Sequence, residues 1–227
     1  MNKNVIEENM MGPNPITILE ELLEKVEIKK GSKILDLGCG KGLTSMYLAQ
    51  KYDVTVYAVD LWISKEENQE RFEFFELQDK IIAINADANN LQFENNFFDA
   101  IISIDAYHYF GNNNSYFKDK ILPLLKKDAQ VIIGIPGMKY EVKDNVPEEM
   151  KPYWDSEILE TVRPIEYWKP KFQEYLKYFE IFELKCFNKA WRSWLDLENQ
   201  YSSKDIPMLM IDNARFMNLI GICGIVK

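Results

Sequence analysis

Apolar residues in the first two-thirds of the chain follow two alternating periods. Short apolar runs at residues 33–37, 54–59, 81–85, 98–104 and 130–135 read as strands. Between them, apolar residues recur every three or four positions, as helices require. Leu19, Leu22, Leu23 and Val26 share one face, with Asn14 as cap, Pro15 in the first turn and Gly31 as the stop. Leu43, Met46, Tyr47 and Gln50 fit a second helix, and residues 64–77 a third that is charged and amphipathic. Phe117, Ile121, Leu124 and Leu125 form another helical face, although Pro123 costs it a hydrogen bond. Strands alternating with helices predict a parallel sheet with right-handed crossovers. Ligands of such sheets bind beyond the carboxyl ends of the strands. The residues just after each strand are therefore the ones to inspect.

The rhythm breaks at residues 136–170, which hold five prolines, many acids, and Tyr140, Tyr153, Trp154, Tyr167 and Trp168. This stretch reads as a lid or insertion within one domain spanning residues 1–227. Helix is expected again over 171–178, a sixth strand over 179–187 and a seventh over 217–226, with 191–215 partly helical. Gly111 followed by Asn112 to Asn114 reads as a turn. There is no internal repeat and no low-complexity tract.

Composition narrows the function classes. A length of 227 residues suits one α/β domain. Lysine and arginine total 27 against 36 acids, a net charge of −9. An acidic chain without a Lys/Arg block makes a poor nucleic-acid or anionic-membrane binder. No apolar run approaches the ~20 residues of a bilayer span. The first ten residues are polar and include Glu7 and Glu8, unlike a secretory signal. Three widely spaced cysteines, Cys39, Cys186 and Cys223, make no disulfide framework and suit a reducing cytoplasm, the expected compartment. One histidine and no CxxC pair argue against a zinc site, and no metal is expected. The sequence sets no oligomeric state; a homodimer is compatible with it. Aromatic residues, at 13%, are the one unusual figure.

Four stations carry chemistry. The first is the run Ile34-Leu35-Asp36-Leu37-Gly38-Cys39-Gly40-Lys41-Gly42, a strand entering a glycine loop before a helix. Gly38 and Gly40 let a ligand approach the backbone. The pattern is GxGxG; Leu43 stands where the dinucleotide fingerprint would have its last glycine. Asp36, at the strand end, suits a cationic amino-acid group better than a pyrophosphate. The second station is Asp60, about 20 residues past the loop and placed to accept ribose hydroxyl protons. The third is Asp87-Ala88, where a carboxylate can accept an exocyclic amine proton and a small neighbour leaves room for a purine. The fourth is Asp105-Ala106-Tyr107-His108-Tyr109-Phe110.

In this order the four stations resemble a class I S-adenosylmethionine-dependent methyltransferase, in the small-molecule branch similar to cyclopropane-fatty-acid synthases. The likeness runs from about residue 16 to 135 and extends through the last two strands. The stretch 8–14 and the phrase Val59-Asp60-Leu61-Trp62-Ile63-Ser64 look like a bacterial subgroup of that branch. The resemblance implies a Rossmann-like, seven-stranded, mostly parallel sheet with helices on both faces and an antiparallel last strand. It implies S-adenosylmethionine as cofactor, S-adenosylhomocysteine as product and a small-molecule acceptor at O, N, S or C. It places Asp36, Gly38, Cys39 and Gly40 around the methionine part, Asp60 on the ribose, Leu61 and Trp62 beside the adenine, and Asp87 and Ala88 at its edge. Asp105 would lie near the amino-acid moiety, and Met11, within residues 10–14, would belong to a cover.

Other readings stand beside these. Cys39 serves as a small packing residue rather than a nucleophile, because nothing nearby in sequence would activate it. Trp62 is an adenine contact or a core aromatic. His108, the sole histidine, is either structural or a general base at the methyl exit; with an ordinary pKa near ~6.5 it can take a proton near neutral pH. Tyr107 and Tyr109 either pack the core or hold the sulfonium charge on their faces. Cyclopropane synthases carry an acid before the equivalent histidine; Tyr107 stands there instead, which argues for ordinary methyl transfer. The aromatics around the lid, with Trp191 and Trp194, either pack it onto the sheet or line a pocket for an amine. A non-catalytic binder of the same cofactor and a nicotinamide-dependent oxidoreductase are the alternative functions.

Overall fold

The protein was analysed as a computed structural model, which describes residues 1–197 and 202–227. In chain order the helices and strands are α1 (Lys3–Asn9), α2 (Pro15–Leu23), β1 (Lys33–Leu37), α3 (Leu43–Lys51), β2 (Thr55–Asp60), α4 (Lys65–Phe74), β3 (Ile81–Asn85) and β4 (Phe98–Ile104). There follow α5 (Tyr107–Phe110), β5 (Leu125–Met138), α6 (Ser156–Thr161), α7 (Ile165–Trp168), β6 (Leu176–Glu183), α8 (Phe187–Leu195), α9 (Asp205–Asp212) and β7 (Met217–Val226).

The strands form one sheet in the order β3-β2-β1-β4-β5-β7-β6. β1 to β5 are parallel, whereas β7 runs antiparallel to both of its neighbours. The direction of chain travel reverses between β1 and β4, the place where α/β sheets open a crevice. Register brings the strand tips level there: Leu37 pairs with Val59, and Asp60 with Asn85.

Alternation along each strand feeds two apolar layers. Ile34, Val56, Ala58, Ile102 and Ile132 point to one face, where Ile18, Leu19 and Leu22 of α2 and Leu43 and Met46 of α3 cover them. Leu35, Leu37, Ile101, Val131, Ile133 and Ile222 point to the other, against Tyr107, Phe117, Trp168 and Phe172. Burial on both faces explains why these strands read as continuous apolar runs. Asn14 caps α2 as expected, its side-chain oxygen accepting from the Ile16 and Thr17 N–H groups. Ser64 and Glu67 cap α4 reciprocally.

Four expected elements differ. α2 ends at Leu23 rather than at Gly31, since Val26 and Ile28 reach the core in extended chain instead. The expected helix around Phe117 is one π turn, Phe117–Ile121, followed by a 3-10 turn, Leu122–Leu124, with Pro123 inside it. No helix spans 171–178: Leu176 already pairs with Val226 in β6, and Tyr178, at φ 49°, bulges from the edge. β5 begins at Leu125 and runs to Met138, longer than its apolar core suggests.

Residues 136–170 finish β5, turn through α6 and α7, and return to the sheet by a Met138–Pro164 bridge. Trp154 and Trp168 are buried there, as are Trp191 and Trp194 of α8. Of the two readings of these rings, packing onto the sheet is the one their burial supports. Among the described residues no helix is long and apolar enough to cross a membrane.

The α4 cap gives a direct stability test. Ser64→Ala removes a reciprocal cap worth about 1 kcal/mol. Calorimetry should register a fall in Tm of roughly 2–4 °C for a domain of this size.

Candidate functional site

The tips of β1, β2, β3 and β4 surround a cavity of about 340 Å³, within the range of small-molecule sites. The glycine loop forms its floor. Gly38, at φ 74°, lies so close to the post-β4 segment that a Cβ on it would stand 2.3 Å from the Ala106 Cβ. That contact and the left-handed backbone both require glycine.

Asp60 fixes the loops on either side. One carboxylate oxygen accepts the Gly40 N–H at 2.8 Å; the other accepts the Trp62 and Ile63 N–H groups at 2.8 and 2.9 Å. The Asn68 amide donates to the Gly40 carbonyl from α4 at 2.9 Å. A pyrophosphate would need the Gly40 N–H that Asp60 already holds, which counts against a dinucleotide.

Of the residues expected to hold a cofactor, Met11, Gly38, Cys39, Gly40, Asp60, Leu61, Trp62, Asp87, Ala88 and Asp105 all line the cavity. Asp36 does not. Its carboxylate is buried behind the loop, where one oxygen accepts the Thr44 and Ser45 hydroxyls at 2.6 and 2.5 Å and the other has no partner. Burial pushes it up to about 6, against the pull of the two hydroxyls. Asp36 therefore pins the start of α3 beneath the loop. Burial likewise raises the Cys39 thiol well above its usual range, so Cys39 is no nucleophile. Trp62 is 68% exposed at the rim, its ring edge-on to Tyr109 with centroids 5.7 Å apart. It is not a core aromatic.

The post-β4 segment departs most from expectation. Asp105 adopts φ 57°, and its side chain enters the cavity beside Gly12. Burial, then the charge of Asp205, push its carboxyl up to about 8. α5 is a single turn, and its phase sends residues 107 and 108 inward and residues 109 and 110 to the cavity. Tyr107 is fully buried among Phe110, Tyr116, Trp168 and Phe172. His108 is 3% exposed, and its ring lies 4.0 Å from that of Tyr109. Burial pushes it down to about 3, so it is neutral at physiological pH. Neither residue lines the cavity, and the expectation that both face the methyl exit is not met.

Gly12, Thr44, Asn89 and Phe110 also line the cavity without having been singled out for it. Gly12 and Phe110 lay inside phrases whose neighbours drew notice; Thr44 and Asn89 had no distinguishing signal. Among the described residues no group of His, Cys, Asp and Glu has the arrangement of a metal site.

The residues present fit S-adenosylmethionine. The cavity has a glycine floor without room for side chains, carboxylates at three strand tips, and an exposed ring at its rim. Asp60 and Asp87 suit a ribose and an amino-purine. The carboxylates suit a ligand with cationic groups rather than phosphates.

Known proteins agree with this reading. Residues 15–161 match the family described as mycolic acid cyclopropane synthetase. Phosphoethanolamine N-methyltransferase of Plasmodium falciparum is 26% identical over 221 residues, covering 93% of this chain and 78% of that one. Cyclopropane-fatty-acyl-phospholipid synthase of Escherichia coli K12 is 36% identical over 101 residues, 44% of this chain but only 25% of that one. The solved structure of Haemonchus contortus phosphoethanolamine N-methyltransferase 2 with S-adenosyl-L-methionine superposes with a TM-score of 0.76 at 19% identity. It covers 99% of this chain and 56% of that one, so the chain spans little more than half of that protein. The matched fold, the glycine loop and the acidic strand tips converge on one assignment: the chain belongs to the mycolic acid cyclopropane synthetase family of class I, S-adenosylmethionine-dependent methyltransferases.

Proposed function

We propose that this chain transfers a methyl group to a nucleophilic atom of a small molecule, with Asp105 as the group that receives the nucleophile's proton. The observation that carries this is the set of residues that share one cavity. The glycine loop, Asp60 and Asp87 line it together with Asp105 and Tyr109 of the post-β4 segment. When bound, S-adenosylmethionine supplies an electrophilic methyl carbon, whose bond to sulfur breaks onto sulfur as the acceptor's lone pair forms the new bond.

The chain's own work is then positioning and proton handling. Gly38 and Gly40 set the backbone against the ligand, and Leu61, Trp62 and Met11 exclude water from the rim. Such alignment supplies up to roughly 7–11 kcal/mol of a barrier. With its carboxyl held up to about 8, Asp105 is mostly protonated at neutral pH and accepts the proton from its ionised fraction, so turnover should rise as pH approaches 8. Its left-handed backbone costs on the order of 1–3 kcal/mol, strain of a kind that gathers at functional sites. His108, neutral and buried, contributes by packing on Tyr109. The small-molecule acceptor is consistent with a cavity of this size and with the acidic surface.

Titration calorimetry should detect S-adenosylhomocysteine binding and no binding of NADH. NADH binding alone would restore the oxidoreductase reading; cofactor binding with no turnover on a broad acceptor panel would favour a non-catalytic binder. Asp105→Asn keeps a residue tolerant of left-handed backbone. It should bind S-adenosylhomocysteine normally while kcat falls roughly 10²–10⁴-fold. Full turnover in that variant removes Asp105 from the mechanism.

Asp105 also sets a stability profile. Its carboxyl is held up to about 8 when folded, above the ~3.9 of an unfolded chain. Between those values the folded state keeps a proton that the unfolded state releases, so stability falls as pH rises through the window. Asp36, held up to about 6, adds to the lower part. Scanning calorimetry of the ligand-free protein should give a Tm that declines from pH 5 to 8. Asp105→Asn should flatten the decline above pH 6.

A further inference from the structure

We propose that Arg71 is a positioning residue for the cofactor: it orients the Asn68 side-chain amide, and that amide holds the Gly40 peptide in the floor of the cavity. The proposal rests on S-adenosylmethionine binding at that cavity and adds two residues of α4 that do not themselves line it.

A line of hydrogen bonds runs from the helix to the glycine loop. Asn68 is 2% exposed and stands in the first half of α4. Its Nδ2 donates to the Gly40 carbonyl at 2.9 Å and approaches the Cys39 Sγ at 3.8 Å. Its Oδ1 accepts from Nη1 of Arg71, one turn further along α4. The same Nη1 reaches the Glu67 carbonyl at 3.3 Å, which ties the guanidinium to the helix backbone.

A side-chain amide has two orientations of nearly equal shape, related by a half-turn that exchanges its oxygen and its NH₂ group. Here both ends are read. A guanidinium only donates and a carbonyl only accepts, so one orientation alone satisfies Arg71 and Gly40 together. Without the guanidinium, the buried Oδ1 loses that donor. An amide oxygen stranded in this way costs more than its hydrogen bond was worth. The amide then gains by rotating toward water, and the Gly40 carbonyl loses its hold.

That loss falls on a residue with conformational alternatives. Gly40 sits at φ 53°, and its N–H is held by Asp60 at 2.8 Å. Asp60 thus fixes the peptide before Gly40, and Asn68 fixes the peptide after it. Between those two planes lie only the two soft dihedrals of a glycine, which tolerates either hand of backbone. With Asn68 turned away, the Gly40–Lys41 peptide can rotate while Asp60 keeps its grip. The floor that fits the cofactor is then formed part of the time, and apparent affinity falls by that fraction.

Both grips come from one stretch of chain. Asp60 accepts the Ile63 N–H, Ser64 caps α4, and the Asn68 N–H returns to the Ser64 carbonyl at 3.2 Å. Residues 60–71 therefore close on both sides of a glycine 20 residues before Asp60.

The test is titration calorimetry of the full chain with S-adenosylhomocysteine, with the Tm of each ligand-free variant recorded alongside. Arg71→Met keeps the stem and removes the donors. It should weaken binding roughly threefold to tenfold, the span of one hydrogen bond. Arg71→Lys, which returns a donor, should recover most of that loss. Asn68→Ala should weaken binding at least as much as Arg71→Met, and Asn68→Leu takes its place if the alanine variant does not fold. In either Asn68 background, Arg71→Met should change affinity no further, because the amide through which it acts is gone. A merely structural Arg71 would lower Tm in both backgrounds and leave affinity unmoved. Unchanged affinity in Arg71→Met overturns the proposal. So does an equal loss with and without Asn68, or an Arg71→Lys variant as weak as Arg71→Met. Failure of the unmodified protein to bind S-adenosylhomocysteine removes the cofactor reading itself; binding there with additive losses removes only the role of Arg71.

Discussion

The site depends on one carboxylate. Asp60 ends β2 and accepts three backbone N–H groups, one from the glycine loop and two from its own following turn. Those N–H groups belong to loops whose carbonyls and amides have no ladder to join. Without Asp60 they would turn to water, and the glycine loop would be held only by its Gly38 and Cys39 N–H groups on the Val59 carbonyl and by Asn68 on the Gly40 carbonyl. With it, the Gly38–Gly40 backbone, the Leu61–Trp62 rim and the tip of β3 form one rigid wall. Asn85 extends the same lattice by donating to the Asp60, Leu61 and Ile63 carbonyls. The acid expected to bind a ribose is thus also a structural tie, and its remaining lone pairs face a cavity whose shape it sets.

Strands buried on both faces were legible in the chain because nothing competes with that pattern. β1, β4 and β7 fall where apolar runs predict them, and so does the edge strand β3, whose exposed Ile82 keeps its run apolar. The reading failed at β6. Leu176, Tyr178 and Glu180 lie on an edge strand with a bulge, which breaks the regular alternation that marks a strand. The cofactor end of the cavity was legible for a related reason: each of its residues follows its strand directly, so position in sequence fixes position in space. The acceptor end was not. α5 is only four residues long, and a single turn leaves its phase to packing. The large Tyr107 ring takes the inward place between Phe110, Tyr116 and Phe172, and that choice carries His108 inward too.

The aromatic excess resolves into two populations. Tyr107, Phe117, Trp168 and Phe172 fill the layer beneath the sheet, and Trp154, Trp191 and Trp194 anchor the segments that follow it. Among the described residues, Tyr109, Phe110 and Trp62 are the aromatics that reach the cavity. The first population makes the second useful, because rings locked on several sides hold the one-turn helix still.

The position of β7 imposes an order on assembly. β6 is made before β7, yet its only neighbour in the sheet is β7, which lies between it and β5. During synthesis, at roughly 5–20 residues per second, β1 to β5 can pair as they emerge. β6 must wait as an unpartnered ribbon until residues 217–226 arrive and insert beside β5. α8, α9 and their aromatic anchors are held back with it. The nascent chain therefore completes the wall made by the glycine loop, Asp60 and Asp87 before the segments that follow β5 can dock on the sheet.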